Sequence, residues 1–175
     1  MIPLTAAPPT ANGQPAVCLR PRSAWIELPF ALDGHAVATG RRFIASKLTS
    51  YGDVAYDTAV VGSELLTNAN DAIRRALAAG QTGLQPVIGL CVRWEPRWVR
   101  VSVIDPVHDL PQRRTASEHD VHGRGLAIVE DLAEILLIHP HARGKTIHAV
   151  IAVPDARGYR GRLSADDLDQ IVVDL

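Results

Sequence analysis

Between Val60 and Leu77 the sequence reads VVGSELLTNANDAIRRAL, a strongly periodic helix that carries Glu64, Asn68 and Asp71 among its apolar positions. At about 100° per residue, Val61, Leu65, Asn68 and Ala72 fall within one narrow sector, so the Asn68 amide stands in the middle of the apolar stripe. Glu64 and Asp71 lie together on one shoulder. A buried amide without partners costs on the order of 1 to 3 kcal/mol, and an unpaired carboxylate costs more. A helix built this way should face something polar, and a bound ion or ligand would satisfy it. On these residues alone, an Asn68 bonded to neighbouring backbone, with Glu64 reaching water, explains the pattern equally well.

Further along, Gly123, Arg124 and Gly125 open a second periodic stretch. Unpaired N–H groups at such a helix start form a cradle for phosphate oxygens, although a tight loop-to-helix junction uses the same glycines. Asp105 ends a β-rich run immediately before a long loop, where a carboxylate can accept a hydrogen bond from a bound base or simply form a turn. Six of the seven histidines follow Asp105. The spacings His119 to His122 and His139 to His141 suit zinc, but no cysteine joins them. The arginines of GRR and RRAL lack interleaved aromatics and read as solvated helix faces rather than a nucleic-acid patch.

The elements that must position these groups fit one domain. At 175 residues and 47% hydrophobic, the chain is long enough for a single core. With Lys+Arg 18 against Asp+Glu 19, its formal net charge of -1 provides no overall field toward nucleic acid or an anionic membrane. A small ligand or a protein is the expected partner. Cys18 and Cys91 have no metal-type spacing, and a lone pair of thiols suits a reducing compartment. Residues 1–22, with Pro3, Pro8, Pro9, Pro15 and Pro21, read as a flexible leader without signal-peptide character. No apolar run approaches the roughly 18 residues that span a bilayer. A cytoplasmic protein is expected.

Within 23–153 the pattern predicts a first strand over Ser23–Phe30 and a helix capped by Asp33 that ends near Gly52. A second helix, opened by Asp53 or Asp57, should stop at Gly80. Val87–Trp94 and Trp98–Asp105 read as a hairpin, followed by a loop from Pro106 to His122 long enough to be a lid. A helix over Gly123–Leu136 and a closing strand over Lys145–Val153 complete the domain. This order predicts a two-layer α/β sandwich, with a mixed, mostly antiparallel sheet covered on one face by helices. Residues 154–175 form a tail in which Ser164 can cap a helix that aligns Leu168, Ile171, Val172 and Leu175.

Taken in order, ELLTN, VSVIDP, HGRGLAIVEDLAE and GKTIHAVI resemble the N, G1, G2 and G3 boxes of the superfamily of gyrase, heat-shock chaperone, histidine kinase and mismatch-repair ATPases. Within it the chain is most similar to stand-alone bacterial anti-sigma-factor serine/threonine kinases of the short actinobacterial type, from about Trp25 to Val153. The resemblance implies a Bergerat-type ATP-binding fold, with ATP and Mg2+ as cofactors. It also implies that Asn68 binds the magnesium ion and that Glu64, four residues earlier on the same helix face, is the general base. Asp105 would accept the adenine amino group, with Thr146 supporting it directly or through water. Gly123, Arg124, Gly125 and Leu126 would hold phosphate through backbone N–H groups, with Arg113 and Arg114 as charge partners. The implied partners are an anti-anti-sigma antagonist protein, which the kinase would phosphorylate, and a sigma factor, which it would sequester. Direct nucleic-acid contact is not expected, and the apolar face of the tail permits a homodimer.

Two residues depart from the pattern. The G1 box usually continues from Asp to a glycine two residues on, whereas here Pro106 and Val107 follow Asp105, so the turn must be made differently and lacks one backbone donor. Asp71, in NANDA, is more similar to the hydrolase branch of the superfamily than to the kinase branch. Slow ATP hydrolysis, or a partner-switching module with weak or no nucleotide binding, are therefore the alternatives to a kinase.

Overall fold

A computed structural model describes residues 22–31, 34–109, 125–155 and 163–173. Its elements are β1 (Arg22–Pro29), α1 (His35–Lys47), α2 (Asp53–Ala78), β2 (Val87–Glu95), β3 (Trp98–Asp105), α3 (Gly125–Leu132), β4 (Ile135–His141), β5 (Gly144–Ala152) and α4 (Ala165–Val173). The strands form one sheet in the order β1-β2-β3-β5-β4. All four pairings are antiparallel, so the sheet is not mixed. The two prolines of the strands, Pro29 and Pro140, sit on the edge strands β1 and β4, where a missing N–H leaves no inner ladder broken.

Side-chain alternation divides the sheet into two unlike faces. Leu28, Ile88, Leu90, Val92, Val99, Val101, Val103, Ile147, Ala149 and Ile151 point toward α1, α2 and α3 and form the main core with Val61, Leu65, Leu66, Ile73 and Val129. The helices α1 and α2 cross closely because each presents a glycine to the other. A side chain at Gly40 would collide with Leu66, and one at Gly62 with Ile44. The opposite face carries a smaller cluster in which Ile171 of α4 packs on Trp98 and Val150. The expectation of helices on one face therefore holds for α1 to α3, while α4 covers part of the other.

Helix ends follow local chemistry. α2 stops where the Gly80 N–H donates to the Leu77 carbonyl and the Gln81 N–H to that of Ala76, a Schellman closure that puts Gly80 at φ 78. α1 ends at Lys47, five residues before Gly52, because buried Leu48 turns into the core and the Tyr51 N–H bonds back to its carbonyl. Its expected cap, Asp33, lies outside the described residues, and Gly34 stands at the N-cap. α4 begins as expected, with a capping box in which the Asp167 N–H donates to Ser164 Oγ at 3.2 Å and the Ser164 N–H to Asp167 Oδ2 at 2.8 Å. These bonds pull the Asp167 carboxyl below its usual range against the opposing effect of burial, which is the largest single influence on it.

The strand β4 was not anticipated from the pattern, which predicts a helix through Leu136. α3 ends instead at Leu132, and the Glu134 N–H already bonds the Val150 carbonyl. The apolar run Ile135–Ile138 continues the helical spacing of the residues before it, so periodicity conceals the switch to a strand. No described helix is long and apolar enough to cross a membrane.

Candidate functional site

The buried stripe of α2 runs through Val61, Gly62, Leu65, Leu66, Ala69, Ala72, Ile73 and Ala76. It is wider than the sequence suggests, and its centre is shifted, so Asn68 lies half-buried at the edge of the stripe rather than in its middle. That edge faces α3. The Glu64 carboxylate stands against Gly125, the first residue of α3, so closely that a Cβ there would lie 2.5 Å from Glu64 Oε2. One helical turn further along α2, Asn68 Nδ2 is buried and has no hydrogen-bond partner among the described residues. Its neighbour Asn70 is used structurally, donating from Nδ2 to the Ala31 carbonyl at 3.1 Å and so tying α2 to the end of β1.

Asp71 does not join this pair. It forms an i,i+3 ion pair with Arg74 at 2.9 Å, with side chains 29% and 55% exposed, an arrangement worth little in water. Leu126 is half-buried in the first turn of α3. Gly123, Arg124, Arg113 and Arg114 lie outside the described residues, as do His119 and His122.

Asp105, at the end of β3, is buried at 1% exposure. Its Oδ1 accepts from the Val107 N–H and from Lys145 Nζ, both at 2.9 Å, and Nζ also donates to the Val107 carbonyl at 2.8 Å. These contacts explain how the turn is made without a glycine after Asp105. The carboxylate closes an Asx-type turn onto Val107, and the ammonium staples both groups from β5. The glycine that permits the close approach comes from the other hairpin. A side chain at Gly144, φ 131, would run into the Asp105 carbonyl and lie 2.7 Å from the Pro106 Cα. Burial pushes the Asp105 carboxyl above its usual range, and the Lys145 hydrogen bond and charge only partly pull it back. Its second oxygen, Oδ2, is buried with no partner among the described residues.

Thr146 and Asp105 both line one cleft, but their side chains leave the sheet on opposite faces. In the β3–β5 register Lys145 lies opposite Asp105 and Thr146 opposite Ile104, so the threonine points to the other face. There its hydroxyl meets His141 Nε2 at 3.2 Å, and it helps line that cleft, of about 550 Å³, which includes Trp25, Gly89 and Ile104. Lys145, which does not belong to the expected site, is the buried partner of Asp105. Its signal was available: in KTIHAVIAV it shares the period-2 face of Ile147, Ala149 and Ile151, a core position where a lysine must find a carboxylate.

The arrangement therefore offers a carboxylate and an unpartnered amide at the start of a helix, and a buried carboxylate with one free oxygen on the same side of the sheet. Among the described residues no group of three or more His, Cys, Asp or Glu could hold a metal ion. A cation here would need ligand oxygens beside the single Asn68 amide. Asn68 Nδ2, a donor, and Asp105 Oδ2, an acceptor, are two of the buried atoms without a partner among the described residues, and they could meet a ligand's phosphate oxygen and amino group respectively. A scan against models of known protein families finds no match to this chain, and a search of curated proteins finds none either.

Proposed function

We propose that this chain is an ATP-binding regulator with a Bergerat-type fold, of the kind represented by anti-sigma-factor serine/threonine kinases, acting on an antagonist protein and a sigma factor. The observation that carries the reading is the seating of the Glu64 carboxylate against Gly125, with the unpartnered Asn68 amide one turn away. When bound, MgATP supplies the phosphoryl group. Glu64 would accept the proton of an incoming hydroxyl, and the Asn68 amide oxygen would be a cation ligand. The N–H groups at the start of α3 would stabilise phosphate charge, because a helix start holds them in place. Asp105 takes the base through Oδ2.

The test is a calorimetric titration with ATP and magnesium. Saturable, metal-dependent binding is expected, weakened at least ~10-fold by Asn68→Ala. Absence of binding at millimolar nucleotide would overturn the reading. With a phosphorylatable partner in hand, Glu64→Ala should abolish transfer while nucleotide binding persists.

One observation favours a second reading, a partner-switching module that binds nucleotide weakly. Asp105 Oδ1 is already committed to Lys145 and Val107, so only one of its oxygens is left for a base. The hydrolase alternative rests on Asp71, which here pairs with Arg74 across one helical turn.

A further inference from the structure

Resting on the nucleotide reading above, we propose that Lys145 is the residue that sets base specificity, by positioning Asp105 so that one carboxylate oxygen is left free for an exocyclic amino group. The Lys145 side chain is 3% exposed, and its ammonium spends two of its three N–H donors on Asp105 Oδ1 and the Val107 carbonyl. This division leaves Asp105 asymmetric. Oδ1 accepts from two donors, and Oδ2 is buried with none among the described residues. A buried carboxylate with an empty oxygen calls for a neutral donor, and a purine amino group is one.

The cation also decides which protonation state the base meets. With Lys145 in place the pair is charge-compensated, and Oδ2 acts as an acceptor. Without it, Asp105 would be an uncompensated carboxylate in the core and would take up a proton, turning the acceptor into a donor. An amino-bearing base would then be disfavoured relative to one carrying a keto oxygen at the same position. Lys145 acts through Asp105 and is a positioning residue.

The experiment compares ATP with inosine triphosphate, which carries a keto oxygen in place of the amino group. The phosphates are identical, so their contribution cancels in the ratio of affinities. Both are titrated with magnesium into the full chain at pH 7, for wild type, Lys145→Met and Lys145→Arg. Wild type should prefer ATP by roughly 10- to 100-fold, the worth of one charge-assisted hydrogen bond. Lys145→Met should reduce that preference to about threefold or less, with recovery as the pH is raised and Asp105 ionises. Lys145→Arg, which keeps the charge, should restore most of it. Should Lys145→Met fail to fold by thermal melting, Lys145→Gln carries the same comparison. A preference that survives both neutral substitutions overturns the role of Lys145 and leaves nucleotide binding intact. A wild type that binds both nucleotides equally also overturns it, and a wild type that binds neither removes the nucleotide reading with it.

Discussion

The two faces of the sheet solve opposite problems. On the face packed against α4, polar groups are tied off within the chain apart from the Nε atoms of Arg93 and Arg100. Arg100 Nη1 donates to the Ile171 carbonyl at 3.0 Å, Ser102 Oγ bonds His148 Nδ1 at 2.8 Å, and Asp167 serves both the Ser164 cap and Arg97, the latter at 3.3 Å. On the face packed against α2 and α3 the core is apolar, yet at its end Asn68 Nδ2 and Asp105 Oδ2 are buried without hydrogen-bond partners among the described residues. Satisfied polar groups stabilise a fold, whereas unsatisfied ones persist where something outside the fold completes them. The two arginines of the α4 face are bonded through their other atoms, whereas Asn68 Nδ2 and Asp105 Oδ2 stand at the proposed nucleotide site, and that contrast is what the proposed function predicts.

The sharpest way to break the comparison is to remove the anchor of the structural face. Trp98 is fully buried, with the Arg93 guanidinium 5.2 Å from its ring centroid. Trp98→Ala should cost about 3 to 5 kcal/mol in urea unfolding, since it removes both the ring and the seat of α4. Next in size is the response of the same face to acid. Burial, with Arg100 and His139 nearby, lowers His148 from 6.5 to about 4. A depressed folded value contributes stability that is present above pH 6.5 and lost as pH falls toward 4, up to about 3 kcal/mol from this one group. Unfolding measured at pH 7 and at pH 4.5 should show a smaller loss in His148→Gln than in wild type.

Smaller effects sharpen the contrast. Ser164→Ala should destabilise by about 1 kcal/mol through loss of the capping box, with proteolysis near the C-terminus as a second readout. On the other face the sign should change. Asn68→Leu replaces a half-buried amide, whose Nδ2 has no partner among the described residues, with an apolar group of similar size, so stability should hold or rise by up to about 1 kcal/mol while MgATP binding is lost. A clear destabilisation by Asn68→Leu would mean that the amide is structural and that the two faces do not differ in the way described.

Sequence alone determined the elements whose signals are local. The long helix with its stop at Gly80, the hairpin of β2 and β3, the strand that became β5 and the cap at Ser164 follow from spacing, turn residues and capping chemistry acting over a few residues. The pairing of Glu64 with Asn68 was legible for the same reason, because residues four apart on a helix share a face in any tertiary context. Tertiary structure decided the rest. β4 exists because its backbone finds β5, a partner that periodicity cannot reveal, since Ile135–Ile138 suits a helix equally well. The choice of Lys145 over Thr146 as the neighbour of Asp105 depends on strand register, in which a shift of one residue exchanges the faces. The closeness of Glu64 to Gly125 depends on how α3 docks against α2, a matter of core packing between segments more than fifty residues apart in the chain.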